Sequence, residues 1–258
     1  MKSAPLKIDL NCDLGEIPEA IADGTQEALM SSITSANVAC GGHAGDRETM
    51  RATIEQALRR GVKIGAHPGY ADRENFGRLR LKIAAGEVAE TVFSQVEALA
   101  QVAESCGARV VHVKPHGALY NQAVRDRELA GAIAEGVARW RQDVVLVGLA
   151  GAAMLEVFRD AGFTVAAEAF ADRRYEPDGT LRSRKFGDAL IRDPQEAAQQ
   201  ALGMVERGLV TASDGSEVPL EAQTICIHGD TPGAAAIAAE VRRALRAAGV
   251  TIAGLVDG

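Results

Sequence analysis

Short runs of β-forming residues alternate with amphipathic helical segments along the whole chain, and this alternation constrains the fold more than any other feature of the sequence. Each candidate strand is followed by a polar cluster and then by a helix. Because a right-handed crossover returns the chain parallel to the preceding strand, this order predicts a parallel sheet. The seven candidate strands are residues 6–12, 35–40, 62–66, 109–114, 144–149, 163–167 and 223–227.

Capping residues mark where several helices begin and end. Asp46 is a candidate N-cap for a helix that Gly61 can stop, although the sequence equally allows Asp46 a place in a functional site. Asp193, followed by Pro194 and an acidic third position, predicts a helix that ends at Gly208. The last predicted helix covers residues 234–248.

Seven or eight strand–helix units predict an α/β fold, a closed (β/α)7 TIM-like barrel, in a single domain over residues 1–258. An open doubly wound sheet is the alternative, but its G-x-G-x-x-G turn is absent after the first strand, where the chain reads N-C-D-L-G-E. Residues 209–220 predict a small hairpin before the last strand.

Composition favours a small-molecule partner. The net charge is −7, with no Lys/Arg run longer than a pair, which argues against nucleic acid or an anionic membrane as the main partner. The longest apolar stretch, residues 144–155, is too short to span a bilayer, and no secretory signal is visible, so we expect a cytoplasmic protein. Its four cysteines form no C-x-x-C pair and are expected to be small buried residues.

Ionisable side chains collect where the candidate strands end. Four of the five histidines fall at or just past a carboxyl end: His43, His67, His116 and His228. A barrel gathers these ends at one mouth, where such folds carry their chemistry. One histidine there is more often structural, but four in register indicate a site. The acidic and basic residues at the same ends are Asp13, Glu16, Asp46, Asp72, Arg73, Lys114, Glu168, Asp172, Arg173 and Asp230.

Two connections, residues 67–83 and 169–192, are too long to be simple crossovers, and their Tyr, Phe and Arg content favours a function. Residues 67–82 and 168–185 together carry three more basic than acidic side chains, which leaves −10 on the rest of the chain. An acidic body with a cationic mouth suits a small anionic substrate or phosphate.

The fourth strand places three polar residues on one face. His112, Lys114 and His116 stand at i, i+2 and i+4, and this face is predicted to point inward. His112, one layer below His116, is expected to be structural, as is Asp9 in the first strand. The basic run at residues 78–82 is expected to be a solvated loop, with Arg78 placed to reach an anion.

Six segments, in the same order along nearly the whole chain, resemble the LamB/YcsF family. This resemblance implies a seven-stranded barrel, distantly similar to metal-dependent polysaccharide deacetylases. It also implies an ATP-dependent hydrolase that opens 5-oxo-L-proline to L-glutamate, a 5-oxoprolinase, together with two partner subunits, B and C. The segments are N-C-D-L-G-E (11–16), A-N-V-A-C-G-G-H-A-G-D (36–46), G-A-H-P-G-Y-A-D-R-E-N-F-G-R (65–78), V-K-P-H-G-A-L-Y-N (113–121), E-A-F-A-D-R-R-Y (168–175) and C-I-H-G-D-T-P-G-A (226–234).

The residue types fit that chemistry. We predict that Asp13 is the general base for water, with His67 and His116 as acid/base or orienting partners. Lys114 and Arg173 are predicted to hold phosphate or the substrate carboxylate. The other predicted substrate- or phosphate-binding residues are His43, Asp72, Arg73, Asp172, His228 and Asp230, of which His43 and His228 with Asp230 would bind substrate or pass a proton to the leaving nitrogen.

ATP is the expected co-substrate, because an unstrained lactam is a poor electrophile until its amide oxygen is phosphorylated. No Walker sequence G-x-x-x-x-G-K-[ST] occurs. Either the partner subunits bind ATP, or the loops of this chain hold the nucleotide with Lys114 and Arg173. The sequence leaves the oligomeric state open, including a homo-oligomer.

Two other functions remain open at this stage. In the first, Asp13 and two of His43, His67 and His116 bind Zn²⁺ or Mn²⁺ in a metal-dependent amidohydrolase or deacetylase that acts alone. No metal ligand is assigned from the sequence. In the second, the chain is a non-catalytic subunit that presents substrate to its partners.

Overall fold

A computed structural model describes residues 6–256. In this part of the chain the strands are β1 (Lys7–Leu14), β2 (Ser35–Ala39), β3 (Lys63–His67), β4 (Val110–Val113), β5 (Val145–Leu149), β6 (Thr164–Phe170), β7 (Leu209–Thr211), β8 (Glu217–Pro219), β9 (Thr224–Cys226) and β10 (Thr251–Ile252). The helices are α1 (Pro18–Ala22), α2 (Thr25–Met30), α3 (Arg47–Arg60), α4 (Ala85–Ser105), α5 (Gly117–Ala123), α6 (Arg127–Trp140), α7 (Ala153–Asp160), α8 (Pro194–Leu202) and α9 (Ala234–Ala247).

Seven parallel strands form a closed barrel in the order β1, β2, β3, β4, β5, β6, β9, and β9 closes it by pairing with β1. The prediction of a (β/α)7 barrel is confirmed, and the open sheet is excluded. All seven candidate strands are present. β1 and β6 run two and three residues further than predicted, because their ends, Leu14 and Phe170, are still paired and buried in the barrel wall.

Two smaller elements complete the sheet structure. β7 and β8 form the predicted antiparallel hairpin. The two-residue strand β10 was not predicted, since its length gives no periodic signal. β10 pairs with Lys7 and Ile8 of β1, and β9 pairs with the same strand from Asp9 onward.

The predicted helix boundaries hold where a capping residue defined them. Asp46 Oδ1 accepts hydrogen bonds from the backbone of Glu48 and Thr49, which makes Asp46 the N-cap of α3. Gly61 ends this helix in the left-handed region, with φ of 66°. Helix α8 continues as a π-helical turn, Gly203–Arg207, and ends at Gly208 as predicted.

The apolar core lies between the barrel wall and the surrounding helices, with fully buried residues such as Ile54 of α3, Leu99 of α4 and Phe158 of α7. The barrel strands also carry buried polar side chains, next to a second, small apolar cluster of Val145, Val147 and Ala166. Asp9 accepts hydrogen bonds from Thr34, Ser35 and Thr224 at 2.7, 2.6 and 2.5 Å, and its burial raises its pKa. Asp9 therefore has the structural surroundings that its position predicted.

No helix within residues 6–256 is long and apolar enough to cross a membrane. The four cysteines are free thiols, and three of them, Cys12, Cys40 and Cys226, are buried.

Candidate active site

A cavity of about 900 Å³ opens at the carboxyl ends of the strands, toward the upper end of the range for small-molecule sites. Its floor and walls come from different strand ends and from the two long loops. The structure thereby brings together many of the predicted residues. Those that line the cavity are Asp13, His67, Lys114, His116, Arg173 and His228.

Asp13, near the carboxyl end of β1, is held in one orientation by two donors. Its Oδ1 accepts hydrogen bonds from Lys114 Nζ at 2.9 Å and from Asn37 Nδ2 at 2.8 Å, while its Oδ2 lies 3.4 Å from His67 Nε2. Burial alone would raise the pKa of Asp13, but the charges of His67 and Lys114 hold it well below its usual range. Asp13 is therefore ionised, and Oδ2 is the oxygen with more remaining capacity to accept a proton.

Lys114 is a buried cation inside the barrel. Its Nζ lies 2.9 Å from Asp13 Oδ1 and 2.9 Å from Glu168 Oε1, and it also donates to Asn11 Oδ1 and Cys226 Sγ at 3.4 and 3.1 Å. Burial disfavours the charged amine, but the negative charge of Asp13 keeps the pKa of Lys114 well above its usual value. These contacts surround the ammonium group, so in this structure Lys114 orients Asp13.

Two histidines beside Asp13 have fixed hydrogen positions. His67 Nδ1 donates to the carbonyl of Lys114 at 2.7 Å, and His116 Nε2 donates to the carbonyl of Phe76 at 2.9 Å. The other two nitrogens, His67 Nε2 and His116 Nδ1, are 2.9 Å apart. Although burial opposes it, the charge of Asp13 raises the pKa of His67, whereas burial and the charge of His67 hold the pKa of His116 well below its usual value. The two inner nitrogens are thus close enough to share one proton in a hydrogen bond.

Glu16 and His43 extend this group of histidines. His43 Nε2 is 2.8 Å from Glu16 Oε1, and the His43 ring stacks on His116 with centroids 3.5 Å apart. Burial and the charge of His67 lower the pKa of His43 to about 2. Burial and the charge of Asp13 raise the pKa of Glu16 to about 7. A neutral imidazole thus faces a carboxyl group that titrates near neutrality.

His228, after β9, is oriented by the fully buried Asp172. Its Nδ1 lies 3.0 Å from Asp172 Oδ1, and Asp172 also accepts hydrogen bonds from the backbone of His228 and from Thr231 Oγ1. Burial alone would raise the pKa of Asp172, but its contacts with His228 and Thr231 keep it low. Because Asp172 engages Nδ1, Nε2 is the nitrogen of His228 that remains for a ligand.

Arginines from both long loops form a cationic rim around the cavity. Arg78 Nη2 and Arg184 Nη1 share Asp230 Oδ2, at 2.6 and 3.5 Å. Arg173 is 5% exposed, and its Nε is buried with no hydrogen-bond partner among the described residues. Burial and the neighbouring charge of Arg184 lower the pKa of Arg173 to about 10. Asp230 thus pairs with two guanidinium groups while Arg173 has no carboxylate partner among the described contacts, and this excess of positive charge at the rim favours an anion.

Asp72 and Arg73 do not line this cavity. Asp72 Oδ1 accepts hydrogen bonds from the backbone and side chain of Asn75, and Arg73 donates to the carbonyls of Gly41 and Gly45. The Arg73 contacts hold the loop after β3 against the loop after β2, whereas the Asp72 contacts lie within the loop after β3. Neither residue reaches the cavity in this structure, and their part in binding substrate stays a prediction.

Glycine allows the loop after β3 to approach the histidines closely. Gly77 has φ of 61°, and a Cβ there would lie 2.7 Å from His43 Cβ and 3.0 Å from His116 Cδ2. The next residue, Arg78, is thereby brought to the cavity as the sequence anticipated, and Arg80 also lines it, although a solvated run was expected.

Several residues that surround Lys114 and Asp13 had no predicted part in the site. Asn11 and Asn37 lie on strands whose inward faces are polar, and Cys226 contacts the Lys114 ammonium at 3.1 Å. A polar residue at every second position of β1, from Asp9 through Asn11 to Asp13, was the signal that could have identified the polar interior. The role of Cys226 had no such signal.

Fold and site together define a seven-stranded (β/α) barrel with ionisable groups converging at its carboxyl mouth. The LamB/YcsF family model matches residues 8–257, and the chain belongs to this family. A relative from Chloroflexus aggregans, named as the A subunit of 5-oxoprolinase, is 51% identical over 247 residues, which cover 96% of this chain and 98% of that relative.

Solved structures agree with the fold. The lactam utilization protein from Thermus thermophilus superposes with a TM-score of 0.89 at 42% identity, covering 96% of this chain and 99% of that one. A family 4 carbohydrate esterase from Streptomyces lividans superposes with a TM-score of 0.51 at 11% identity, covering 99% and 95% of the two chains. The second similarity concerns the fold alone.

Proposed function

We propose that this chain is the A subunit of a cytoplasmic, ATP-dependent 5-oxoprolinase that opens 5-oxo-L-proline to L-glutamate together with partner subunits B and C. Three relatives named as the A subunit of 5-oxoprolinase, at about half sequence identity over nearly the full length, support the substrate and the reaction. Those names describe one subunit of an enzyme, which supports the need for partners.

One observation in the structure carries the proposal: an ionised, oriented carboxylate lies in the same cavity as a buried guanidinium that lacks a full set of partners. Asp13 is the carboxylate and Arg173 is the guanidinium. A hydrolase for a small anionic lactam needs both, a base for water and a cation for the substrate carboxylate or a phosphate.

In the proposed reaction, Asp13 Oδ2 removes a proton from a water molecule while the oxygen of that water attacks the ring carbonyl carbon. Lys114 keeps Asp13 ionised and oriented. The carbon–nitrogen bond of the ring breaks, and the nitrogen takes up a proton to become the amino group of glutamate. His228, held by Asp172, is the candidate donor of that proton.

ATP supplies the driving force by phosphorylating the amide oxygen, which makes the carbonyl carbon attackable. Ring opening of the phosphorylated lactam leaves the phosphate on the new side-chain carboxyl of glutamate, and a second water molecule hydrolyses this acyl phosphate. The net reaction consumes one ATP and two water molecules and gives glutamate, ADP and phosphate. The cationic rim at Arg78, Arg173 and Arg184 is suited to hold the transferred phosphate. We propose that the partner subunits bind the nucleotide, because this chain has no Walker sequence.

The test is ATP-dependent glutamate formation in the complex reconstituted from the three subunits. We expect Asp13→Asn to lower the turnover number by at least about 100-fold, as the loss of a general base does. The control is Asp23→Asn, a matched change at an exposed residue after α1, which should keep normal turnover.

Circular dichroism and co-purification with the partners would show that the Asp13→Asn chain is folded and assembled. Normal turnover by that assembled variant would exclude Asp13 as the base. Absence of glutamate formation by the unaltered complex, with ATP present, would reject the proposed function itself.

A further inference from the structure

Four side chains beside the cavity direct ligand atoms toward one point. Glu16, His43, His67 and His116 each offer one such atom, and these atoms all lie within 4.8 Å of one another. They come from the ends of different strands, so the convergence is a product of the barrel and not of a local motif. All three histidines are buried, with 1–4% of their surface exposed.

The hydrogen positions of two rings make this point attractive to a cation. The carbonyls of Lys114 and Phe76 hold the hydrogens of His67 and His116 on the outer nitrogens. When both rings are neutral, the inner nitrogens therefore present lone pairs to each other at 2.9 Å. Such lone pairs repel unless a cation lies between them. A proton can join only two of the four convergent atoms in a hydrogen bond, whereas one metal ion can bind all four.

The separations fit a tetrahedral ion. Zinc bonds of about 2.0–2.1 Å to nitrogen and oxygen place tetrahedral ligand atoms roughly 3.3 Å apart. The pairs here are 2.9 Å for His67–His116, 2.8 Å for His43–Glu16, 3.4 Å for His116–Glu16 and 3.8 Å for His67–Glu16. Shifts of a few tenths of an ångström would equalise them. Metal-bound histidines also usually donate their outer N–H to a carbonyl or carboxylate, as two of these three do.

We propose that Glu16, His43, His67 and His116 form a binding site for a divalent transition metal, with zinc the best match to three imidazoles and one carboxylate. The ion has access from the cavity, which His67 and His116 line, and from a smaller cavity of about 150 Å³, which Glu16 lines. Asp13 borders the site, with its Oδ2 3.4 Å from His67 Nε2.

A second group of possible ligands, Asp13, Cys226 and His228, is the competing location. There the Lys114 ammonium already contacts both Asp13 and Cys226, at 2.9 and 3.1 Å. A fixed positive charge occupies the place that a metal would need, so this group is disfavoured.

The test measures binding directly and does not depend on the proposed function. The full chain is freed of metal with a chelator, then given Zn²⁺ or Co²⁺ and passed through a desalting column. We expect about one ion per chain by elemental analysis, and with Co²⁺ the intense visible absorption of a tetrahedral site. Glu16→Ala and His116→Asn should each weaken binding by more than the ~10–100-fold that follows loss of a residue that only orients a metal ligand.

The control is His228→Asn, which alters the competing group and should leave stoichiometry and the cobalt spectrum unchanged. Binding that is lost in His228→Asn and kept in Glu16→Ala would place the ion in the competing group and overturn the proposal. Absence of a tetrahedral cobalt spectrum in the unaltered chain would also overturn it, and would mean that protons alone bridge the four groups. Because the cobalt spectrum is measured on the unaltered chain, it tests the proposed metal site even if circular dichroism shows that a variant does not fold.

Discussion

At the scale of single residues, the buried ammonium group of Lys114 links strands that are far apart in sequence. It contacts Asp13 of β1, Glu168 of β6 and Cys226 of β9. Removing one partner from a buried ionic network strongly lowers the free energy of unfolding, because the remaining charges stay buried without compensation. This loss is larger than the stability that the whole network provides relative to apolar side chains of the same size. Lys114 is thus expected to matter for stability as well as for the state of Asp13.

We expect Lys114→Met to lower the free energy of unfolding by about 3–5 kcal/mol, since it leaves the buried Asp13 carboxylate without its cation. Urea unfolding followed by the fluorescence of Trp140, the only tryptophan of the sequence, would measure the change. Lys185→Met, at an exposed position on the same cavity, is the matched control and should change stability by less than about 0.5 kcal/mol. A Lys114→Met protein as stable as the control would contradict this account.

At the scale of elements, the alternation of strands and helices was readable because each strand gives a short, bounded signal and each long helix an apolar stripe. The contacts between side chains inside the barrel were harder to predict from the sequence. Asn37 of β2 bonds to both Asn11 and Asp13, and these contacts exist only once β1 and β2 pair in register. Likewise, the pairing of Lys114 with Glu168 depends on barrel closure, which no local pattern specifies.

Close packing of β3 against β4 gives a prediction at this scale. A Cβ on Gly65 would lie 2.0 Å from His112 Nε2, which is itself bonded to Asn37 Oδ1 at 2.8 Å. We expect Gly65→Ala to lower the free energy of unfolding by at least ~1–3 kcal/mol, the usual cost of overpacking. Gly86→Ala, in the first turn of α4 with open space around its Cβ, should be neutral or slightly stabilising. Equal melting temperatures for the two variants would refute the packing argument.

At the scale of the whole molecule, β1 is shared between β9 and β10. β10 pairs with its first two residues and β9 with the next three. The backbone of Thr251 donates to Leu6 O at 2.8 Å and that of Ala253 to Ile8 O at 3.0 Å. This short strand thus lies at the amino end of β1, opposite the active-site mouth.

Removing residues 250–258 should therefore destabilise the molecule without touching the cavity. Loss of the buried Val250 and exposure of Ile8 amount to roughly 2–3 kcal/mol, which corresponds to a fall of about 5–10 °C in the melting temperature. The full chain is the reference protein. Differential scanning calorimetry of both proteins gives the answer, and identical melting temperatures would show that β10 contributes nothing.

The sharing of β1 between β9 and β10 also sets the order in which the molecule can be completed during synthesis. Once β2 has paired with one edge of β1, the other edge stays open, because its barrel partner β9 begins only at Thr224. Closing so long a loop is entropically costly and tends to be slow. Until β9 has emerged, the unpaired edge of β1 is available for pairing with other chains. This edge is therefore exposed while every other barrel strand is being synthesised.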